Sequence, residues 1–293
     1  YLPYATSLRM SDLGYSTRVQ SSLNICFNHL STYTASLGQA IHTSYPPYEK
    51  IGVKVDGKYR QLNSTILQIE DEYYSDIRPK RITRSPERPL QALRDKGVEY
   101  IEIRHTDVNP FLHVGIDTQQ ALFIDSFLIS CLMMSDEDLC PTECRMISEN
   151  QQKVITRGRE PGLLLATPGG EVTLSEAGQT LLAQIKITGD LLDQVHRTEA
   201  YSASIKAQML KLEDASLTPS AKVLKTLQKT GLNYTQWIML KSREHKETFM
   251  NSSPGTPVLK DLAQRASLSL KEQRQLEARN TLNFDMFLEE YLA

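Results

Sequence analysis

The chain of 293 residues carries 33 Lys+Arg against 35 Asp+Glu, a formal net charge of −2. That balance sets up no field to gather a nucleic acid or a membrane surface, and no apolar run approaches the ~20 residues of a membrane-spanning helix. Four cysteines in a chain of this length do not make a disulfide framework, so a cytoplasmic setting is expected.

Taken in chain order, Leu23, Phe27, Leu30, Tyr33, Leu37 and Ile41 recur at steps of three and four. They predict a helix over 21–43, ended by Tyr45-Pro46-Pro47. Segments 51–55 and 58–62 flank Asp56-Gly57, a pair suited to a type I′ hairpin turn. Residues 64–74 read as extended, 85–89 as a loop, 90–96 as a short helix stopped by Gly97, and 98–108 as extended again. From about 117 onward the periodicity is helical. Asp117 caps a helix over 117–134, and Glu176 sits in the first turn of another over 175–196. Further helices are expected over 200–213, 220–229, 234–250, 259–279 and 284–292. A few antiparallel strands followed by helices make an α+β fold.

The run Tyr100-Ile101-Glu102-Ile103-Arg104 alternates, so a strand there projects Tyr100, Glu102 and Arg104 from one face and two isoleucines from the other. A carboxylate and a guanidinium two residues apart suit a polar cavity holding a metal ion and an anionic substrate. An ordinary half-exposed strand with a surface ion pair satisfies the same pattern. Cys140 and Cys144, with Cys131 nearby, lack the second cysteine pair or close histidine that zinc requires. Pro168-Gly169-Gly170 lacks the Gly-Lys-Ser/Thr tail of a phosphate loop and reads as a plain turn. His42, His113, His196 and His245 stand in separate segments without ligand spacing.

Four segments form an ordered set. They are Leu2-Pro3-Tyr4 through Arg9 to Gly14-Tyr15; Leu67-Gln68-Ile69-Glu70-Asp71-Glu72-Tyr73-Tyr74; Ile77-Arg78-Pro79-Lys80-Arg81; and the strand running on to Asp107-Val108-Asn109-Pro110-Phe111. In order and spacing this set resembles the glutamate–cysteine ligases of the proteobacterial type, over about residues 1–120. The resemblance implies part of a glutamine-synthetase-like antiparallel active-site sheet within 1–116, with a largely helical region over 117–293 packed on it. Enzymes of that family are longer, so a further N-terminal half with more metal-binding glutamates is expected as the partner of this portion.

The family reaction joins the γ-carboxyl of L-glutamate to the amine of L-cysteine through an acyl phosphate, splitting ATP, as the first step towards glutathione. It calls for Mg²⁺ on oxygen ligands and for cations at the transferred phosphoryl group. By resemblance, Glu102 is a Mg²⁺ ligand, Arg104 contacts the phosphoryl group, and Arg9, Tyr15 and Tyr74 line the cysteine pocket. Arg78, Lys80 and Arg81 are candidates for the ATP phosphates. The alternative for them is a solvated charged loop, which is the reading expected for Arg84 and Arg88. His105 departs from the small or apolar residue expected after Arg104. Two other functions compete: a related carboxylate–amine ligase with another amine acceptor, and a non-catalytic piece.

Overall fold

A computed structural model describes residues 2–14, 18–20, 23, 25–84, 87–134, 137–252 and 255–292. The chain forms two compact units, residues 18–104 with 243–293 and residues 1–17 with 105–242. This division cuts across the boundary expected at 116/117. The segment before Arg18 and the one after Arg104 belong with the helices, whereas the last helices belong with the first strands.

The unit around residues 18–104 opens with α1 (Leu30–Ala40). It is shorter than the predicted helix because His29 is extended and its N–H bonds to the Thr32 hydroxyl, which starts the helix there. Pro46 opens α2 (Pro46–Ile51) at its first turn, where a missing N–H costs nothing. Strands β1 (Lys54–Val55) and β2 (Lys58–Tyr59) pair across Asp56-Gly57, both at positive φ as a type I′ turn demands. A 3-10 turn at Glu70–Glu72 replaces the extended run expected there.

Next come β3 (Ile77–Lys80), α3 (Pro89–Lys96) and β4 (Tyr100–Ile103). The two strands form an antiparallel pair with Arg78 opposite Glu102 and Lys80 opposite Tyr100. Strand β4 does not seat its isoleucine face on a core, since Ile101 is 51% exposed. The core lies instead between α1 and α3, where Tyr33, Leu37, Ile41, Leu67, Leu90 and Leu93 pack together.

The other unit contains α4 (Thr118–Met133), capped as expected by Asp117, whose carboxylate accepts from the Gln120 N–H at 2.8 Å. Helix α5 (Pro141–Arg157) follows, then a hairpin of β5 (Leu164–Thr167) and β6 (Gly170–Thr173) turning at Pro168-Gly169. Thr173 and Glu176 cap α6 (Leu174–His196) reciprocally. Helices α7 (Ala200–Glu213) and α8 (Pro219–Thr230) follow, and α9 (Tyr234–Asn251) belongs to this unit as far as Ser242. Leu182, Ile185 and Ile205 are its buried centre, flanked by Phe123 and Phe127.

Two further helices, α10 (Thr256–Arg279) and α11 (Phe284–Leu292), return to the first unit. There α11 covers the β1–β2 hairpin: Lys54 pairs with Asp285 at 2.8 Å, and the Tyr59 and Phe284 rings meet edge to face at 5.2 Å. Among the described residues no helix is long and apolar enough to cross a membrane.

Candidate active site

The β3–β4 ladder builds the first cluster. Register places Arg78 against Glu102, and the buried guanidinium saturates itself locally. Nε donates to Glu102 Oε2 at 3.2 Å, and Nη2 lies 3.1 Å from the same oxygen. Nη1 donates to the backbone carbonyls of Asp71 and Tyr73 at 3.0 and 3.1 Å. A guanidinium presents only five N–H bonds, so Arg78 has little left to offer a phosphate. It ties the 3-10 turn to the ladder.

Arg104 stands on the same side of the strand as Glu102, with Nη1 3.9 Å from Oε1. Its guanidinium carbon lies 4.9 Å from the centre of the Tyr74 ring, a cation–π contact. Tyr74, expected at the cysteine pocket, thus also lies against Arg104. Lys80 reaches Asp71 at 2.9 Å, while Arg81 donates to the carbonyls of Lys96 and Gly97, at the carboxyl end of α3. Those carbonyls carry the helix's negative end, so a cation belongs there for structural reasons alone.

The acidic run is likewise consumed by the fold. Glu70, 4% exposed, takes a bidentate grip from Arg88 through two 3.0 Å bonds, and Arg88 also lies 5.4 Å from the Tyr291 ring centre. The solvated loop expected at Arg88 is thus corrected: the 3-10 turn swings Glu70 inward, and a buried carboxylate requires a partner. Glu72 accepts from the Gln68 N–H. The cleft lined by Tyr33, Asp71, Arg78, Lys80 and Leu90 has room for roughly one water molecule, too little for a substrate. Burial pushes the Tyr33 phenol up to about 12, and that of Tyr73 upward as well.

Arg9 belongs to the other unit, in a loop bound by one carboxylate. Asp107 Oδ1 accepts from the Ser7 hydroxyl at 3.0 Å and the Arg9 N–H at 2.9 Å, and Oδ2 accepts from the Leu8 N–H at 2.9 Å. The preceding residues are strapped to the end of α5. The Thr6 N–H and hydroxyl donate to the carbonyls of Ile155 and Val154 at 2.9 and 2.6 Å, and Arg159 donates to those of Pro3 and Ala5. Gly14 closes the loop, since a Cβ there would stand 2.1 Å from the Arg9 carbonyl oxygen. Tyr15 lies outside the described residues.

The ladder thus brings Arg78, Glu102, Arg104 and Tyr74 together, with Lys80 joined through Asp71. Asp107 and the Glu70–Arg88 pair had no role assigned from sequence. The one sequence signal for Asp107 was its place inside the fourth motif. As to metal, Glu102 offers one carboxylate that already faces two guanidinium groups. Among the described residues no group of three His, Cys, Asp or Glu side chains could hold an ion. These residues alone do not fit a complete Mg²⁺ site.

Arginines and a carboxylate on one strand ladder of an α+β fold suit an enzyme that handles anionic groups. The profile of the glutamate–cysteine ligase family matches residues 1–154. The chain belongs to that family. A glutamate–cysteine ligase from Pseudomonas aeruginosa (strain LESB58) is 47% identical over the whole chain, and one from Pseudomonas putida (strain W619) is 45% identical. The chain spans 55% and 56% of their respective lengths. The crystal structure of the Francisella tularensis glutamate–cysteine ligase in complex with AMP matches 98% of this chain at a TM-score of 0.89 and 33% identity, using 57% of its own length. A bifunctional glutathione synthetase from Pasteurella multocida shares the fold over 84% of this chain and 27% of its own, at a TM-score of 0.60 and 20% identity.

Proposed function

We propose that this chain serves ATP-dependent ligation of L-glutamate, through its γ-carboxyl, to the amine of L-cysteine. The γ-carboxylate takes the terminal phosphoryl group of ATP with loss of ADP. The cysteine amine then attacks the acyl carbon and phosphate leaves. The observation that carries this reading is the pair of Glu102 on β4 and Arg104 just past its end, in a member of the glutamate–cysteine ligase family. The Francisella tularensis relative was crystallised with AMP, which supports a nucleotide as co-substrate.

In this reading Arg104, held over Tyr74, meets charge developing on the transferred phosphoryl oxygens. Lys80 is the favoured phosphate contact among Arg78, Lys80 and Arg81, because the other two are bound to backbone carbonyls. Arg9 forks onto the cysteine carboxylate, and Tyr15 walls the cysteine. Glu102 would be one oxygen ligand for Mg²⁺, which would supply positive charge for the phosphoryl transfer; the described residues offer no complete set of ligands beside it. A thiol substrate and four free cysteines accord with a reducing, cytoplasmic location.

The test is an assay of the full-length protein with ATP, Mg²⁺, L-glutamate and L-cysteine. Phosphate and γ-glutamylcysteine are expected in equal amounts. Phosphate release that ignores cysteine but follows another amine would replace this reading with that of a ligase for a different acceptor.

A further inference from the structure

Residues 7, 8 and 9 are bound in succession to a single carboxylate that lies 98 to 100 positions away in the chain. One hydroxyl and two consecutive backbone N–H groups converge on both oxygens of Asp107, the geometry of an anion nest whose anion is a side chain. The Ser7 hydroxyl also accepts from the Met10 N–H at 3.0 Å, and the Leu8 carbonyl accepts from the Ser11 hydroxyl at 2.7 Å. The loop is therefore wound around Asp107 on both sides of Arg9. Bonds from N–H or O–H to an ionised acceptor are about twice as strong as neutral ones, and three share this carboxylate. The backbone at Gly14 passes so close to the loop that a Cβ there would stand 2.1 Å from the Arg9 carbonyl oxygen.

From this we infer that Asp107 is a positioning residue for substrate binding: it sets the backbone of Arg9, and through it the guanidinium that takes the cysteine carboxylate. The inference rests on the assignment of Arg9 to cysteine given above. A bidentate fork tolerates little misplacement, so loosening its backbone costs affinity for that one substrate rather than for all. Tyr234 at the start of α9 is near enough that the Asp107 charge adds to burial in pushing its phenol pKa up.

Steady-state kinetics of the full-length protein test this with Asp107→Asn, Ser7→Ala, Arg9→Ala and the double variant Arg9→Ala/Asp107→Asn. Asp107→Asn and Arg9→Ala should each raise the KM for cysteine on the order of tenfold or more, with the KM for ATP and for glutamate within about twofold of the parent. Ser7→Ala, which removes one bond of three, should raise it less. If Asp107 acts through Arg9, the double variant is no worse for cysteine than Arg9→Ala alone, because coupled residues are not additive. Multiplying effects would overturn the inference. So would a normal cysteine KM in Asp107→Asn while Arg9→Ala raises it, which leaves the Arg9 assignment standing. An unchanged cysteine KM in Arg9→Ala would remove the assignment itself, and the inference with it. Should Asp107→Asn lower the melting temperature too far for assay, Ser7→Ala decides: no rise in its cysteine KM overturns the inference.

Discussion

Arg78 and Glu102 face each other across the β3–β4 ladder, the buried guanidinium reaching one carboxylate oxygen at 3.2 Å from Nε and 3.1 Å from Nη2. The same guanidinium holds two carbonyls of the preceding turn, so the frame of the cluster and its charge balance depend on one side chain.

Arg78→Ala should therefore act on stability before chemistry. It leaves two carbonyls and a half-buried carboxylate without their donor, and breaking a buried pair costs about 3–5 kcal/mol, discounted here to about 2–4 for the exposure of Glu102. Urea unfolding of the variant against the parent measures this. A difference below about 0.5 kcal/mol would show that water replaces the guanidinium freely.

Glu102→Gln should do the reverse. The amide oxygen still accepts from Arg78, so the melting temperature should move little, yet the charge facing Arg104 is lost. Turnover of the full-length protein should fall on the order of a hundredfold or more. Near-normal cysteine-dependent ATP hydrolysis at ordinary Mg²⁺ would sink the assignment of Glu102.

Residues 1–293 produced by themselves should release no phosphate in response to cysteine. Glu70, Asp71 and Glu72 are committed to arginine, lysine and backbone partners, and among the described residues no group of three His, Cys, Asp or Glu side chains could hold a metal ion. Phosphoryl chemistry of this kind draws on several convergent oxygens. A measurable yield of γ-glutamylcysteine would mean the metal ligands have been misplaced.

Alkaline pH should loosen the unit built on α1 and α3. Tyr33 keeps its proton up to about 12 when folded, because its burial penalises the phenolate, whereas the unfolded chain loses it near the ordinary 10. Between those values the unfolded state binds fewer protons than the folded one, so stability falls as pH rises. The contribution is intact below about 10 and lost by about 12. Melting temperatures followed by circular dichroism across that window should decline, and Tyr33→Phe should flatten the decline. An equal slope in both proteins would place the sensitivity elsewhere, Tyr73 being the next phenol to replace.

What was legible in the sequence was what neighbours in the chain decide among themselves. Asp56-Gly57 specifies its own turn, Thr173 and Glu176 cap α6 across three residues, and Gly97 ends α3 through its own backbone. The ordered motifs, which hold these side chains in a set spacing, carried the family as well. Strand β3 was invisible because Pro79 reads as a breaker, and only the partner strand β4 makes it part of a ladder. Periodicity ran on through residues 25–28, which are not helical, and took no notice of the β5–β6 hairpin, whose pairing is its main support. The roles of the charges were decided by tertiary structure alone. Glu70, Asp71, Arg78, Arg81 and Arg88 look alike in a charged run. Which cation meets a carbonyl, a carboxylate or a substrate depends on the turn, the register and the helix end that burial brings to it. An ionised group taken out of water must find its partner wherever the fold supplies one.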